Sequence, residues 1–281
     1  MTMTRRAFVA SAAAFSSIAL VPRMSRAAGE LHVAFVPDVA TTADSISAKQ
    51  PFVDWLAKST GLDVKLIIPT NYAATVEAIG NGSVDLAYFG GLAFLKAQAH
   101  YGAQPLVQRI EDRAFHAYFI TNSPDVKSLT DLRGKTFAFG DPISTSGHLI
   151  PAKDLDAAGI DPNKDLTARF SGNHTNTAIA VNAGQVLAGA LDETVYKKMV
   201  ADKTIDPTVK ARVFHISEPF VDYVWATSKT LDPATAASVK RAFLALKAGP
   251  VLDLLRGTGY VAATNAEYDP LRTVAEKLQL L

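Results

Sequence analysis

Hydrophobic positions change period along this chain in a regular way. Glu30-Leu31-His32-Val33-Ala34-Phe35-Val36-Pro37 is a short apolar run closed by proline, the pattern of a buried strand. Residues 48–60 follow, with Phe52, Val53 and Leu56 spaced along one helix face. The alternation then continues with a strand at 64–68, a helix at 73–79, a strand at 86–89 and a helix at 92–100 closed by Tyr101-Gly102. The same rhythm returns later, with strands predicted at 136–139, 168–170 and 186–191 and helices at 149–158, 177–183 and 192–200. Pro151 falls inside the first of these helices and argues for a later start. Two more helices are predicted at 233–247 and 266–278. Strands alternating with helices specify an α/β protein.

One internal echo organises the pattern. Ile79-Gly80-Asn81-Gly82-Ser83-Val84-Asp85-Leu86-Ala87 and Val181-Asn182-Ala183-Gly184-Gln185-Val186-Leu187-Ala188-Gly189 each read as a helix end, a glycine turn and a short buried strand. The first copy delivers Tyr88-Phe89 at its carboxyl end and the second Asp192-Glu193. Ligands in open α/β sheets sit beyond the carboxyl ends of strands, so the echo predicts two lobes facing one cleft. Tyr88 and the Asp192-Glu193 pair are therefore candidate ligand residues. The extended stretches 117–121 and 223–226 are the expected crossings between lobes, and the last helices return to the first lobe. The expected division is residues 29–120 with 222–281 in one lobe and 121–221 in the other.

The amino terminus has a different character. Thr4-Arg5-Arg6-Ala7-Phe8-Val9 precedes an apolar stretch of about 15 residues, shorter than the roughly 20 that a membrane-spanning helix needs. Arg23, Arg26 and Ala27-Ala28 follow, so residues 1–28 read as a twin-arginine signal peptide and the mature protein as periplasmic. The full chain of 281 residues carries 28 basic and 27 acidic residues. Cleavage removes four arginines and leaves 24 basic against 27 acidic, a net charge of −3. The charges are dispersed, which argues against nucleic acid or a membrane surface as partner. Cysteine is absent, excluding disulfides, thiolate metal sites and a cysteine nucleophile.

Chemistry concentrates in Phe139-Gly140-Asp141-Pro142-Ile143-Ser144-Thr145-Ser146-Gly147-His148-Leu149-Ile150-Pro151. A strand ends, Asp-Pro turns the chain, and three hydroxyl residues lead into a helix. Free backbone N–H groups, the helix dipole and the hydroxyls together can hold an oxyanion without a formal positive charge. One hydroxyl suffices for an N-cap, so Ser144, Thr145 and Ser146 read as an anion cradle. His174 lies in the polar loop Phe170-Ser171-Gly172-Asn173-His174-Thr175-Asn176, where an imidazole can donate to an anion. Phe89-Gly90-Gly91 is a second strand, glycine and helix junction that lets backbone approach a ligand. No nucleophile elbow, HExxH, P-loop or GxGxxG motif occurs, so neither an enzyme, a metal nor a cofactor is expected.

Several stretches together resemble the periplasmic solute-binding proteins of phosphonate, phosphite and phosphate ABC transporters, the PhnD type. They are Phe35-Val36-Pro37-Asp38, Asn71-Tyr72-Ala73-Ala74-Thr75, Val84-Asp85-Leu86-Ala87-Tyr88-Phe89-Gly90, the hydroxyl-rich 140–151 segment, Gly172-Asn173-His174 and Tyr223-Val224-Trp225-Ala226. The resemblance implies a bilobal type II periplasmic-binding fold that closes on a phosphorus oxyanion. It implies that Tyr72, Ser144, Thr145, Ser146 and His174 hold the anion, with acidic positions at Glu193 or Asp192 and at Asp222. It further implies a monomer that hands its ligand to a membrane permease, or alternatively partners a sensor kinase or binds another small solute. The chain departs from its relatives at Phe115, where a second ligand-facing tyrosine is common, at Thr175, where aspartate usually follows the histidine, and at Val221 and Val224.

Overall fold

In a computed structural model, residues 29–37 and 46–281 are described; the expected signal segment, residues 1–28, lies outside them. Among the described residues eleven strands fall into two sheets. The first joins β1 (Glu30–Phe35), β2 (Asp63–Ile67), β3 (Leu86–Phe89), β4 (Gln104–Arg109), β10 (Val224–Thr227) and β11 (Tyr260–Ala262) in the order β11-β4-β10-β3-β1-β2. The second joins β5 (Ala117–Thr121), β6 (Thr136–Phe139), β7 (Thr167–Phe170), β8 (Ala188–Asp192) and β9 (Arg212–Ile216) in the order β7-β6-β8-β5-β9.

Both sheets follow one plan. A central strand, β1 or β6, pairs in parallel with an outer strand, β2 or β7, and an inner one, β3 or β8. An antiparallel strand, β10 or β5, then lies beside the inner one and carries β4 or β9 on its far side. The echo in the sequence is thus a structural equivalence, since β3 and β8 hold the same place. Gly82 and Gly184, which turn the chain before them, have φ of 81° and 72°, a region where a side chain is disfavoured.

Around the first sheet pack α1 (Gln50–Thr60), α2 (Tyr72–Gly80), α3 (Gly91–Tyr101), α7 (Pro233–Ala245), α8 (Pro250–Leu254) and α9 (Asp269–Lys277). Around the second pack α4 (Ile150–Ala157), α5 (His174–Asn182) and α6 (Glu193–Ala201). The first lobe is centred on aromatic rings: Phe52 stacks on Trp225 at 5.1 Å, and Phe35 and Phe243 close around the same indole. Phe119, Phe137 and Phe139 are buried in the second lobe.

The stretches expected to cross between lobes are instead strands within them, β5 in the second sheet and β10 in the first. The chain passes between sheets just outside these strands, where Phe115 and Phe220 form an antiparallel bridge and Asp222 N–H donates to the Asp112 carbonyl at 2.9 Å. A strand whose four residues are all buried, such as β10, belongs in a sheet and not in a solvated connection. Among the described residues no helix is long and apolar enough to cross a membrane.

Candidate functional site

The site forms where strand ends of the two sheets face each other. After β6 the chain turns at Asp141, and residues Thr145–Leu149 make a single π-helical turn before α4. The turn is locked at its start: Ser144 Oγ accepts the Gly147 N–H at 3.1 Å, and Gly147 packs against Gly140. A Cβ on Gly147 would lie 2.9 Å from Ser144 Oγ and 3.1 Å from the His174 ring. The later helix start that Pro151 implied is present, with the proline in the first turn of α4.

The three hydroxyls have separate partners. Ser144 caps the turn, whereas Thr145 Oγ1 reaches the other lobe, accepting the Leu92 N–H at 2.9 Å and bonding to the Asp222 carboxyl. Ser146 Oγ is fully buried with no hydrogen-bond partner. Gly90 makes room for this approach, because a Cβ there would stand 3.3 Å from Thr145 Oγ1. Asp222 Oδ1 accepts the Gly91 N–H at 3.0 Å, while Oδ2 is unpartnered. Burial raises the Asp222 carboxyl to about 7, against the opposing pull of the Gly91 N–H and the Thr145 hydroxyl.

Tyr72 and His174 arrive by the same local device in opposite lobes. Asn71 caps α2 by accepting the Ala74 N–H at 2.8 Å, and Asn173 caps α5 by accepting the Asn176 N–H at 2.8 Å. Each functional side chain is the first residue after its cap. His174 is therefore not in an exposed loop, as the polarity of its neighbours suggested, but at a helix start and wholly buried. Its Nδ1 accepts the Asp192 N–H at 3.2 Å, which places the proton of the neutral ring on Nε2. That Nε2 faces two hydroxyls, Tyr223 at 3.2 Å and Tyr72 at 3.4 Å.

Tyr223 carries a hydroxyl into the site that sequence patterning left unassigned; its only signal was its place in the last matching stretch. Its ring stacks on Tyr88 at 5.1 Å and meets Phe115 edge-on at 5.6 Å. Phe115 is fully buried against Phe220 and Tyr223 and supplies a wall without a donor. The Tyr88 hydroxyl is buried without a partner, and burial pushes it well above the usual phenol range. Arg109, in a buried ion pair with Asp112 at 2.6 Å, sits 5.4 to 5.8 Å from the Tyr88, Phe115 and Tyr223 rings.

Of the acidic candidates at the end of β8, Glu193 is committed elsewhere. Its Oε1 accepts the His116 N–H at 3.1 Å and its Oε2 pairs with Lys197. The neighbouring Asp192 is the residue turned inward, with Oδ1 capping α6 and Oδ2 buried without a partner. A one-residue step at a helix start turns the side chain to a different face, which explains the exchange. Asp141 also links the lobes, accepting the N–H groups of Ile143 and Tyr72. Among the described residues no cluster of three metal-binding side chains occurs.

The arrangement offers neutral donors and backbone N–H groups, the equipment for desolvating and holding a small anion. Beside them stand two buried carboxyls, Asp222 raised to about 7 and Asp192, which burial would raise but His174, Arg256 and Arg109 hold below its ordinary value. Comparison with known proteins gives a consistent result. Residues 33–268 match the family model described as ABC transporter, phosphonate, periplasmic substrate-binding protein. The chain is 28% identical over 242 residues to a probable ABC transporter phosphite binding protein of Prochlorococcus marinus, covering 79% of this chain and 81% of that one. It is 29% identical over 264 residues to the phosphate-import protein of Mycolicibacterium smegmatis, covering 84% and 82%. The solved structure of the Prochlorococcus protein with methylphosphonate superposes with a TM-score of 0.82 at 27% identity, covering 90% of this chain and 99% of that one.

Proposed function

The chain belongs to the phosphonate ABC-transporter family of periplasmic substrate-binding proteins, and from that membership we propose that it captures a phosphorus oxyanion between its lobes and hands it to a membrane permease. The ligand class is phosphonate, phosphite or phosphate. One observation carries this reading: the Ser146 hydroxyl is buried and unpartnered beside the turn that Ser144 and Gly147 lock. A desolvated hydroxyl without a partner is costly, and a bound oxyanion supplies the missing acceptor.

The remaining groups take supporting roles. The His174 Nε2–H and the Tyr72 and Tyr223 hydroxyls form one donor cluster. Asp222, neutral below about 7, presents a proton from Oδ2 toward an anion, while Thr145 and Asp141 tie the lobes together. Ligand binding then adds contacts to both lobes at once and favours the closed form. We place one lobe at residues 29–114 with 222–281 and the other at 117–219, with the chain crossing between them at the Phe115–Phe220 bridge rather than inside β5, and assign residues 1–28 to twin-arginine export. The protein acts as a monomer and performs no chemistry on its ligand. Ser144, four residues before His148, accepts the Gly147 N–H, and His148 Nδ1 bonds to the Pro142 carbonyl.

The test is calorimetric titration of the ligand-stripped protein with phosphite, phosphate, methylphosphonate, 2-aminoethylphosphonate and sulfate. Tight one-to-one binding of a phosphorus oxyanion with sulfate excluded is the expected result. Binding of sulfate alone, or of none of the panel, would overturn the assignment.

A further inference from the structure

Arg109 closes β4 and is almost wholly buried, packed behind the Tyr88 and Tyr223 rings whose far ends carry hydroxyls into the site. Its guanidinium forks onto the Asp112 carboxylate, from Nε at 2.8 Å and from Nη2 at 2.6 Å. Nη1 donates to the Leu255 and Arg256 carbonyls just after α8, each at 3.1 Å. The chain fits closely here: a Cβ on Gly257 would stand 3.0 Å from Arg109 Cδ. One side chain thus fastens the end of β4, the passage between the sheets that contains Asp112, and the turn after α8. Asp112 hands the constraint on, because its carbonyl accepts the Asp222 N–H at 2.9 Å. Asp222 in turn bonds the Gly91 N–H through Oδ1 and leaves Oδ2 unpartnered in the site.

We propose that Arg109, through its fork to Asp112, is a positioning residue for ligand capture: it fixes where the Asp222 carboxyl stands in the site without touching the ligand itself. The inference rests on the oxyanion reading of that site. A buried ion pair gains little net stability over an apolar pair of the same size, because desolvating both charges offsets their attraction. What an apolar pair lacks is direction. The planar fork sets the orientation of Asp112 at two oxygens, and the Asp112 backbone sets the start of the segment that carries Asp222 and Tyr223. Binding groups act only within a few tenths of an ångström of their working geometry, so a support held this firmly controls affinity from behind the site. Lysine is no substitute, since an ammonium is a point charge and cannot reach the carboxylate and both carbonyls in one plane.

The experiment is a double-mutant cycle read by titration with phosphite and methylphosphonate. Arg109→Met combined with Asp112→Asn removes both charges and keeps an acceptor for the backbone N–H at position 109, so this variant should melt within about 5 °C of wild type. It should bind whichever ligand the wild type takes about tenfold more weakly. Made in an Asp222→Ala background, the same pair of changes should weaken binding less than about threefold, because the carboxyl it positions is gone. Arg109→Lys, which leaves Asp112 a cation but no fork, should follow the same pattern and serves if the neutral pair fails to fold. In the wild-type protein the Arg109 Nε–H resonance should shift when the ligand binds. Equal losses in the two backgrounds, undiminished affinity in either folded variant, or an unmoved Nε–H resonance would make the pair structural only and overturn the inference while oxyanion capture stands. Failure of the wild-type protein to bind either compound overturns both.

Discussion

Tyr72 and His174 occupy equivalent positions in the two halves of the molecule and meet across the cleft, with Tyr72 Oη 3.4 Å from His174 Nε2. Each opens a helix that follows the outer parallel strand of its sheet, and each stands directly after an asparagine cap. The site is therefore assembled from two copies of one local solution, a helix start that projects its first side chain inward. Strand ends and helix starts are also where unpaired backbone N–H groups collect, so the same plan supplies both side-chain and main-chain donors.

Thr145 spans the lobes, and its replacement should loosen closure. Thr145→Val keeps the shape but removes the acceptor for the Leu92 N–H and the bond to Asp222. Loss of one such bond costs about 1 kcal/mol or more, shifting the closed-to-open ratio at least about fivefold. Small-angle scattering of the ligand-free variant should give a larger radius of gyration than wild type. Superimposable curves would mean that Thr145 does not hold the lobes.

Ser146→Ala separates binding from stability. The hydroxyl makes no bond within the protein, so its removal should leave the melting temperature unchanged or slightly raised. Affinity for the oxyanion should fall roughly 10- to 100-fold, the worth of a hydrogen bond to a charged group. Destabilisation with undiminished binding would assign the hydroxyl to the fold.

Asp222 gives a pH dependence of definite sign. Its folded carboxyl titrates at about 7, far above the unfolded value near 3.9. Between those limits the folded state retains a proton that the unfolded chain has lost, so stability falls as pH rises from about 4 to about 7 and then levels. Above 7 the new negative charge also opposes the anion. Asp222→Asn should bind relatively better than wild type with each step in pH above 7, approaching about tenfold per unit. Because both proteins meet the same ligand, its own ionisation cancels in the ratio. A ratio constant from pH 5 to 9 would remove Asp222 from the site.

Gly147→Ala should damage the cradle through crowding alone. The added methyl would stand 3.2 Å from the Gly140 Cα as well as within reach of Ser144 and His174. A cost of about 1–3 kcal/mol in stability is expected, together with weakened binding, since the displaced groups are those of the site. Wild-type affinity in a destabilised variant would show that the turn relaxes away from the ligand.

The hydroxyl-rich turn after β6 was legible in one contiguous stretch, and the two-sheet α/β plan in the echo of residues 79–87 in 181–189, whereas Tyr72 stood out only through the resemblance to relatives. The period of hydrophobic residues located most helices and inner strands, and Gly82 and Gly184 marked equivalent turns. Strand β4 was not legible, since Pro105 and Gln108 break its pattern and Arg109 is buried through its pair with Asp112 and its bonds to the Leu255 and Arg256 carbonyls. Strand β9 is half-exposed along its length and has no buried face to reveal it. Tyr223 and the choice of Asp192 over Glu193 depend on which way a side chain turns at a strand end, a property fixed by the partner lobe and not by local spacing.

The most direct test is a phosphorus-31 NMR titration of methylphosphonate with ligand-stripped protein, wild type beside the Ser144→Ala, Thr145→Ala, Ser146→Ala triple variant. The account predicts a distinct bound resonance at one-to-one stoichiometry for wild type, release of chemically unchanged ligand on unfolding, and no bound resonance for the variant at matched concentration. An unshifted resonance with wild type, or an identical bound signal with the folded triple variant, would contradict it.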